Sequence, residues 1–245
     1  EDTFTVTTSS VNGWFSTVDN VIVAFGDSET FDVTVTVPKV LAGTKDTWTV
    51  TSSASNDDTV EDIIVSGSTT VDTVAGHELT GGSDLSGNPG DTVTYHFTIL
   101  NTGNAQEKFF YTISSSWDLD NIGGDTTLEM GVSDTISVTQ TIPAGAAADD
   151  TSSVTFTVVG GASESVTTSA NQIYELSVSA DTLIGLKPGE SGTLSFTITN
   201  EGNGFDTYAI GYNGIWATGV SSTTEPISSG SFATVTVTVA IPANA

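Results

Sequence analysis

The stretch NPGDTVTYHFTILNTGN from Asn88 returns in variant form as KPGESGTLSFTITNEGN from Lys187, 99 residues later. A repeat of this kind constrains a fold more tightly than composition does, because both copies must build the same supersecondary unit. After each Pro-Gly pair, Tyr95, Phe97 and Ile99 align with Leu194, Phe196 and Ile198. Between them, Thr94, His96 and Thr98 align with Ser195, Thr197 and Thr199. Apolar and polar residues therefore alternate with period two, as in a strand with one face in a core. Each copy then passes through Asn-x-Gly-Asn, at 101–104 and 200–203, read as a turn in which Gly and Asn tolerate positive φ.

A second element occurs three times, as ETFDVTVTVP, SDTISVTQTIP and GSFATVTVTVAIP. Its inward positions are Phe31, Val33, Val35 and Val37, then Ile136, Val138, Gln140 and Ile142, then Val235, Val237, Val239 and Ile241. Pro38, Pro143 and Pro242 close each strand, because proline has no N–H to give to a ladder. Upstream, Trp14, Trp117 and Trp216 are read as equivalent, and Trp48 in TWTV aligns with Phe156 in TFTV. Helix signals are nearly absent, since no run of period 3.6 reaches ten residues. Roughly seven short strands per repeat, with turn signals between, predict an all-β chain of tandem immunoglobulin-like antiparallel β-sandwiches. The expected units are 1–75, lacking its first strands; 76–172, complete; and 173–245, lacking its last strand.

The formal net charge of −26 comes from 30 acidic residues set against four lysines and no arginine. Such a surface repels nucleic acid and anionic lipid, so neither is an expected partner. There is no cysteine, which removes disulfides and thiolate metal sites and leaves the core to its aromatic and aliphatic positions. No apolar run is long enough for a membrane-spanning helix. Residue 1 is Glu rather than Met, so the chain is expected to be processed or a piece of something longer.

The pieces Pro-Gly before the strand, Thr-Asn-x-Gly-Asn after it, the Trp, and the ending TVTVTVAIPANA together resemble a prokaryotic cell-surface Ig-like repeat family. Its members include the alpha-galactosidase-associated domain and the cell-adhesion-related domain of bacteria and archaea. The resemblance implies a secreted or cell-surface β-sandwich, often in tandem, acting as spacer, adhesin or envelope component. Such families share no catalytic residues, so the resemblance implies no chemistry.

The residues themselves point the same way, and no enzyme is expected. The two histidines, His77 and His96, fall at non-equivalent repeat positions, and His96 lies on the outward face of its strand. Neither G-x-S-x-G nor a Gly-Lys-Ser/Thr phosphate loop occurs. No cofactor is expected beyond calcium, for which DLDNIGGD offers Asp118, Asp120 and Asp125 in one loop. The spacing is not that of an EF-hand, and acidic loops are ordinary in an acidic protein. The tryptophans are expected to pack in cores rather than to serve as sugar platforms.

A sandwich that lacks strands exposes backbone donors and an apolar groove. The expected assembly edges are Phe4 and Val6 near the start, with Val235, Val237, Val239 and Ile241 near the end. These support a structural subunit of an extracellular filament or envelope layer, self-associating as a homopolymer with strand exchange between chains. The alternative is an adhesive or carbohydrate-binding spacer in a larger secreted protein, with glycans as partners.

Overall fold

The computed structural model describes residues 2–57, 59–180, 182, 185–219 and 223–245. Among these residues the chain is all β, with sixteen strands in four sheets. Strands β1 (Asp2–Ser10), β2 (Val21–Val23), β3 (Lys45–Ala54) and β4 (Ile63–Thr70) form one antiparallel sheet in the order β2-β1-β3-β4. Eight strands follow: β5 (His77–Thr80), β6 (Leu85–Gly87), β7 (Thr92–Asn101), β8 (Glu107–Ser114), β9 (Gly123–Leu128), β10 (Ser133–Thr141), β11 (Thr151–Val158) and β12 (Ser163–Ala170). They make two sheets, β10-β7-β5 and β6-β12-β11-β8-β9, with β6 parallel to β12. The last four strands are β13 (Leu176–Ala180), β14 (Ser191–Asn200), β15 (Ala217–Thr218) and β16 (Phe232–Ala240). Their order is β13-β14-β16-β15.

The middle stretch is an immunoglobulin-like sandwich whose two sheets bury the alternating apolar residues against each other. Phe97, Ile99, Val138, Val154 and Phe156 are fully buried. The ring of Phe156 stacks on Phe97 and on Tyr111, each at 4.9 Å between centroids. One end of this core is polar and satisfied. Tyr95 Oη donates to Thr167 O at 3.0 Å and shares a 2.7 Å hydrogen bond with Thr168 Oγ1. Gln140 bonds Thr168 through its carbonyl oxygen and donates from Nε2 to Ser152 Oγ.

Each terminal stretch supplies one layer of the same sandwich. The order β2-β1-β3-β4 matches β9-β8-β11-β12, whereas β13-β14-β16 matches β5-β7-β10. The backbone bonds give the residue equivalences. Gly43 N–H donates to Val71 O as Asp149 N–H does to Ala170 O, and both residues hold positive φ. Asp46 consequently faces Thr69 as Ser152 faces Thr168.

The structure departs from the sequence expectation in two places. Residues 31–37 carry the pattern of β10 but form only one isolated bridge, Phe15 to Val35, among the described residues. The β10 strand is held by β7, and the described residues within 2–70 contain no counterpart of β7. Phe31, Val35 and Val37 are accordingly 41%, 37% and 42% exposed. The second change concerns Trp48, which pairs with Gly67 as Val154 pairs with Val166, so Val50 rather than Trp48 stands in the place of Phe156. The indole lies on Gly67, where any Cβ would overlap its ring. A large and a small residue thus replace two valines.

Candidate functional site: two matched joints and two open faces

The Asn-x-Gly-Asn motif proves to be a joint. Its first Asn shapes the loop: Asn101 Nδ2 donates to Ala105 O and Leu128 O, and Oδ1 accepts from Gly103 N–H. Asn200 repeats this with Gly204 O, Ile227 O and Gly202 N–H. The last Asn grips the segment that enters from the preceding sheets. Asn104 Oδ1 accepts Val74 N–H at 2.7 Å, and Nδ2 donates to Asp72 O at 2.9 Å. Asn203 makes the matching bonds to Ile173 N–H at 2.7 Å and Asn171 O at 3.0 Å. The carbonyl of each also accepts a loop amide from the preceding stretch, Ala42 for Asn104 and Ala148 for Asn203.

The glycine between them does not serve a positive φ, contrary to the sequence expectation. A Cβ on Gly103 would sit 2.6 Å from Val74 O, and one on Gly202 would overlap Ile173 O. Glycine is there so that the linker carbonyl can approach. Asn101, Asn104 and Asn200 are buried, and each of their amide N and O atoms has a hydrogen-bond partner, which makes the contacts specific as well as stabilising.

The open faces lie on the terminal sheets. In the last stretch, Leu194, Phe196, Val178, Val237, Val239 and Trp216 line a groove of about 670 Å³. Part of that face is already covered, since Tyr208 and Ile227 pack on Ile198 and Val235. In the first stretch the inner face of β3 carries Asp46, which is 0% exposed. Asp46 Oδ1 accepts Asn12 N–H at 2.9 Å, while Oδ2 is buried with no hydrogen-bond partner among the described residues.

The other anticipated site residues are placed separately. Asp118 is exposed, Asp120 Oδ1 accepts Thr139 N–H, and Asp125 pairs with Lys108 at 3.0 Å. No group of three acidic or histidine side chains converges among the described residues. Phe4 and Val6 sit on β1, which lies between β2 and β3 rather than at a sheet edge. Val235, Val237 and Val239 sit on β16, between β14 and the two-residue β15, and Ile241 follows it. His96 is exposed and its Nδ1 hydrogen-bonds Ser137 Oγ across the ladder. Trp14 is buried, Trp117 is half-buried against Ile142 and its neighbours, and Trp216 is 42% exposed. The ladder also separates them by register: the carbonyls of Trp14 and Trp216 accept from Thr36 and Ala240, a place Asp118 takes in the middle stretch. Burial raises the Tyr95 phenol above its ordinary pKa, with the Thr168 bond acting the other way.

No family model matches the sequence, and no curated protein matches it. Among solved structures, domains 4 and 5 of the S-layer protein SbsC align over 69% of this chain and 76% of that one, at 11% identity and TM-score 0.30. Salmonella alpha-2-macroglobulin reacted with methylamine aligns over 60% of this chain and 10% of its own, at 14% identity and TM-score 0.32. The Ig1-Ig2 domains of Dpr2, in complex with DIP-Theta, align over 98% of this chain and 80% of that one, at 10% identity and TM-score 0.26. Likeness at these scores carries no functional argument.

Proposed function

We propose that the chain is a structural element of an extracellular filament or cell-envelope layer, in which Ig-like units are strung in series and meet other chains through added strands. The observation that carries this reading is the joint. The same four hydrogen bonds, two to the side chain and two to the backbone, recur at Asn104 and Asn203, so successive units are attached in one way rather than tethered by loose linkers. Flexible linkers need none of this, and a catalytic scaffold gains nothing from repeating it. The open faces are the places where strands from elsewhere would pair, by backbone hydrogen bonds for affinity and alternate side chains for selectivity. Immunogold labelling of intact source cells, viewed by electron microscopy, tests the reading. Label along filaments or over a surface layer is the expected result; label confined to the cell interior would overturn it.

A further inference from the structure

We propose that the first stretch of one copy closes on the last stretch of another, so that two half-built units on different molecules complete one sandwich and the chains join head to tail. The inference rests on the reading above that the open faces meet other chains, and it names what they meet, a second copy.

The first observation is that the two terminal layers are the two halves of one unit. Residues 2–70 build β2-β1-β3-β4, the counterpart of β9-β8-β11-β12, and the last stretch builds β13-β14-β16, the counterpart of β5-β7-β10. Set face to face, they reproduce every strand of the middle sandwich except the three-residue β6. Side chains that the middle sandwich seals are open in each half. Leu79 is 6% exposed, whereas Val178, at the same ladder place, is 56% exposed. Phe97, Phe156 and Val158 are buried, whereas their counterparts Phe196, Val50 and Ser52 are half-buried.

The second observation concerns two segments that form isolated bridges only. Val35 bridges Phe15 as Gln140 bridges Leu119, so residues 31–37 lie along the place of β10. Asp206 bridges Ile227 as Glu107 pairs with Leu128, so residues 206–209 lie along the place of β8. Closure gives those places to β16 and β1 of the two copies, and the incoming side chains match the outgoing ones. Val239 stands where Gln140 stands on the β10 ladder, so one valine replaces Val35. Phe4 stands where Phe109 stands on the β8 ladder, so one aromatic ring replaces Tyr208. Exchange of like for like is nearly neutral, which leaves burial of the open apolar residues as the drive.

The third observation is charge. The chain carries −26, yet no charged side chain lines the groove of the last stretch among the described residues. Asp46, on the facing layer, is already closed to solvent, so closure adds no desolvation cost there. Like-charged copies can therefore meet through neutral surface, and salt that screens the rest strengthens the contact.

Sedimentation equilibrium of the full chain in about 1 M NaCl, where the Debye length is about 3 Å, tests this. Ser52→Asp and Val178→Asp each place a carboxylate on one face, at positions that are accessible in the single chain. Wild type is expected to grow through dimers to longer oligomers as concentration rises. Each variant alone has one blocked face in every copy, and should associate about a hundredfold or more weakly, the size of a buried unpaired charge. A one-to-one mixture of the two should recover association and stop at a dimer, because one open head meets one open tail. Wild type that keeps the mass of one copy up to about millimolar concentration would by itself overturn the proposal. So would a variant that still assembles alone, which points to a self-facing contact, or a mixture that stays at single-chain mass. A single-chain mass together with label on filaments would sink this inference and leave the reading above standing; head-to-tail assembly of a chain labelled inside cells would do the reverse.

Discussion

Residues 133–141 and residues 31–37 are written in the same alternation and end at equivalent prolines, yet only the first is a strand. The difference lies outside both segments. β10 lies against β7 along its whole length, from Ser133 to Thr141, whereas among the described residues the backbone of 31–37 is hydrogen-bonded only to residues 14–16. A period-two pattern thus prepares a segment to be a strand, and the ladder partner decides whether it becomes one. The same contrast runs through the two terminal stretches, each of which has built the layer whose partners it contains.

The comparison can be broken most forcefully in the middle core. Phe156→Ala removes a fully buried ring stacked on Phe97 and Tyr111, and should cost about 3–5 kcal/mol in denaturant unfolding. Gly67→Val comes next, because its side chain would occupy the space of the Trp48 indole; a loss of about 1–3 kcal/mol and a shifted tryptophan emission are expected. Tyr95→Phe strips the hydroxyl from Thr167 and Thr168 at about 1–2 kcal/mol. That substitution also changes the pH response. The folded-state pKa of Tyr95 is raised, so the stability held by the neutral phenol is fully present below the ordinary value of about 10 and is lost as pH rises through the higher folded value. Tyr95→Phe should flatten this alkaline limb.

Asn203→Ala acts on a joint rather than a core. Faster exchange at the Ile173 amide and easier cleavage near 171–173 are expected, worth about 1 kcal/mol, with the middle core unchanged. The smallest effect belongs to Phe31→Ala, in the segment without a strand partner, at under about 0.5 kcal/mol. A Phe31 loss as large as that of Phe156 would dissolve the contrast between the two segments.

Much of this architecture was legible beforehand. The alternation through Tyr95, Phe97 and Ile99, its copy at Leu194, and the closing prolines locate β7, β10, β14 and β16, because period two and a missing N–H are local properties. The joints were not legible, since the partners of Asn104 and Asn203 lie thirty residues upstream in segments with no pattern of their own. By residue type Trp48 matches Phe156, whereas the ladder pairs it with Gly67; compensation of a large residue by a small one across strands is invisible in one strand alone. Asp46 reads in sequence as one acid among thirty, and only the pairing with Thr69 puts it in a core position.

Native-state hydrogen exchange on the whole chain, resolved residue by residue, tests the central claim most directly. The amides of Val138 and Gln140 should exchange only on unfolding of the middle sandwich, while those of Val33, Val35 and Val37 exchange orders of magnitude faster. Comparable protection of the two sets would contradict the account, because it would mean that residues 31–37 are held in a ladder without a counterpart of β7.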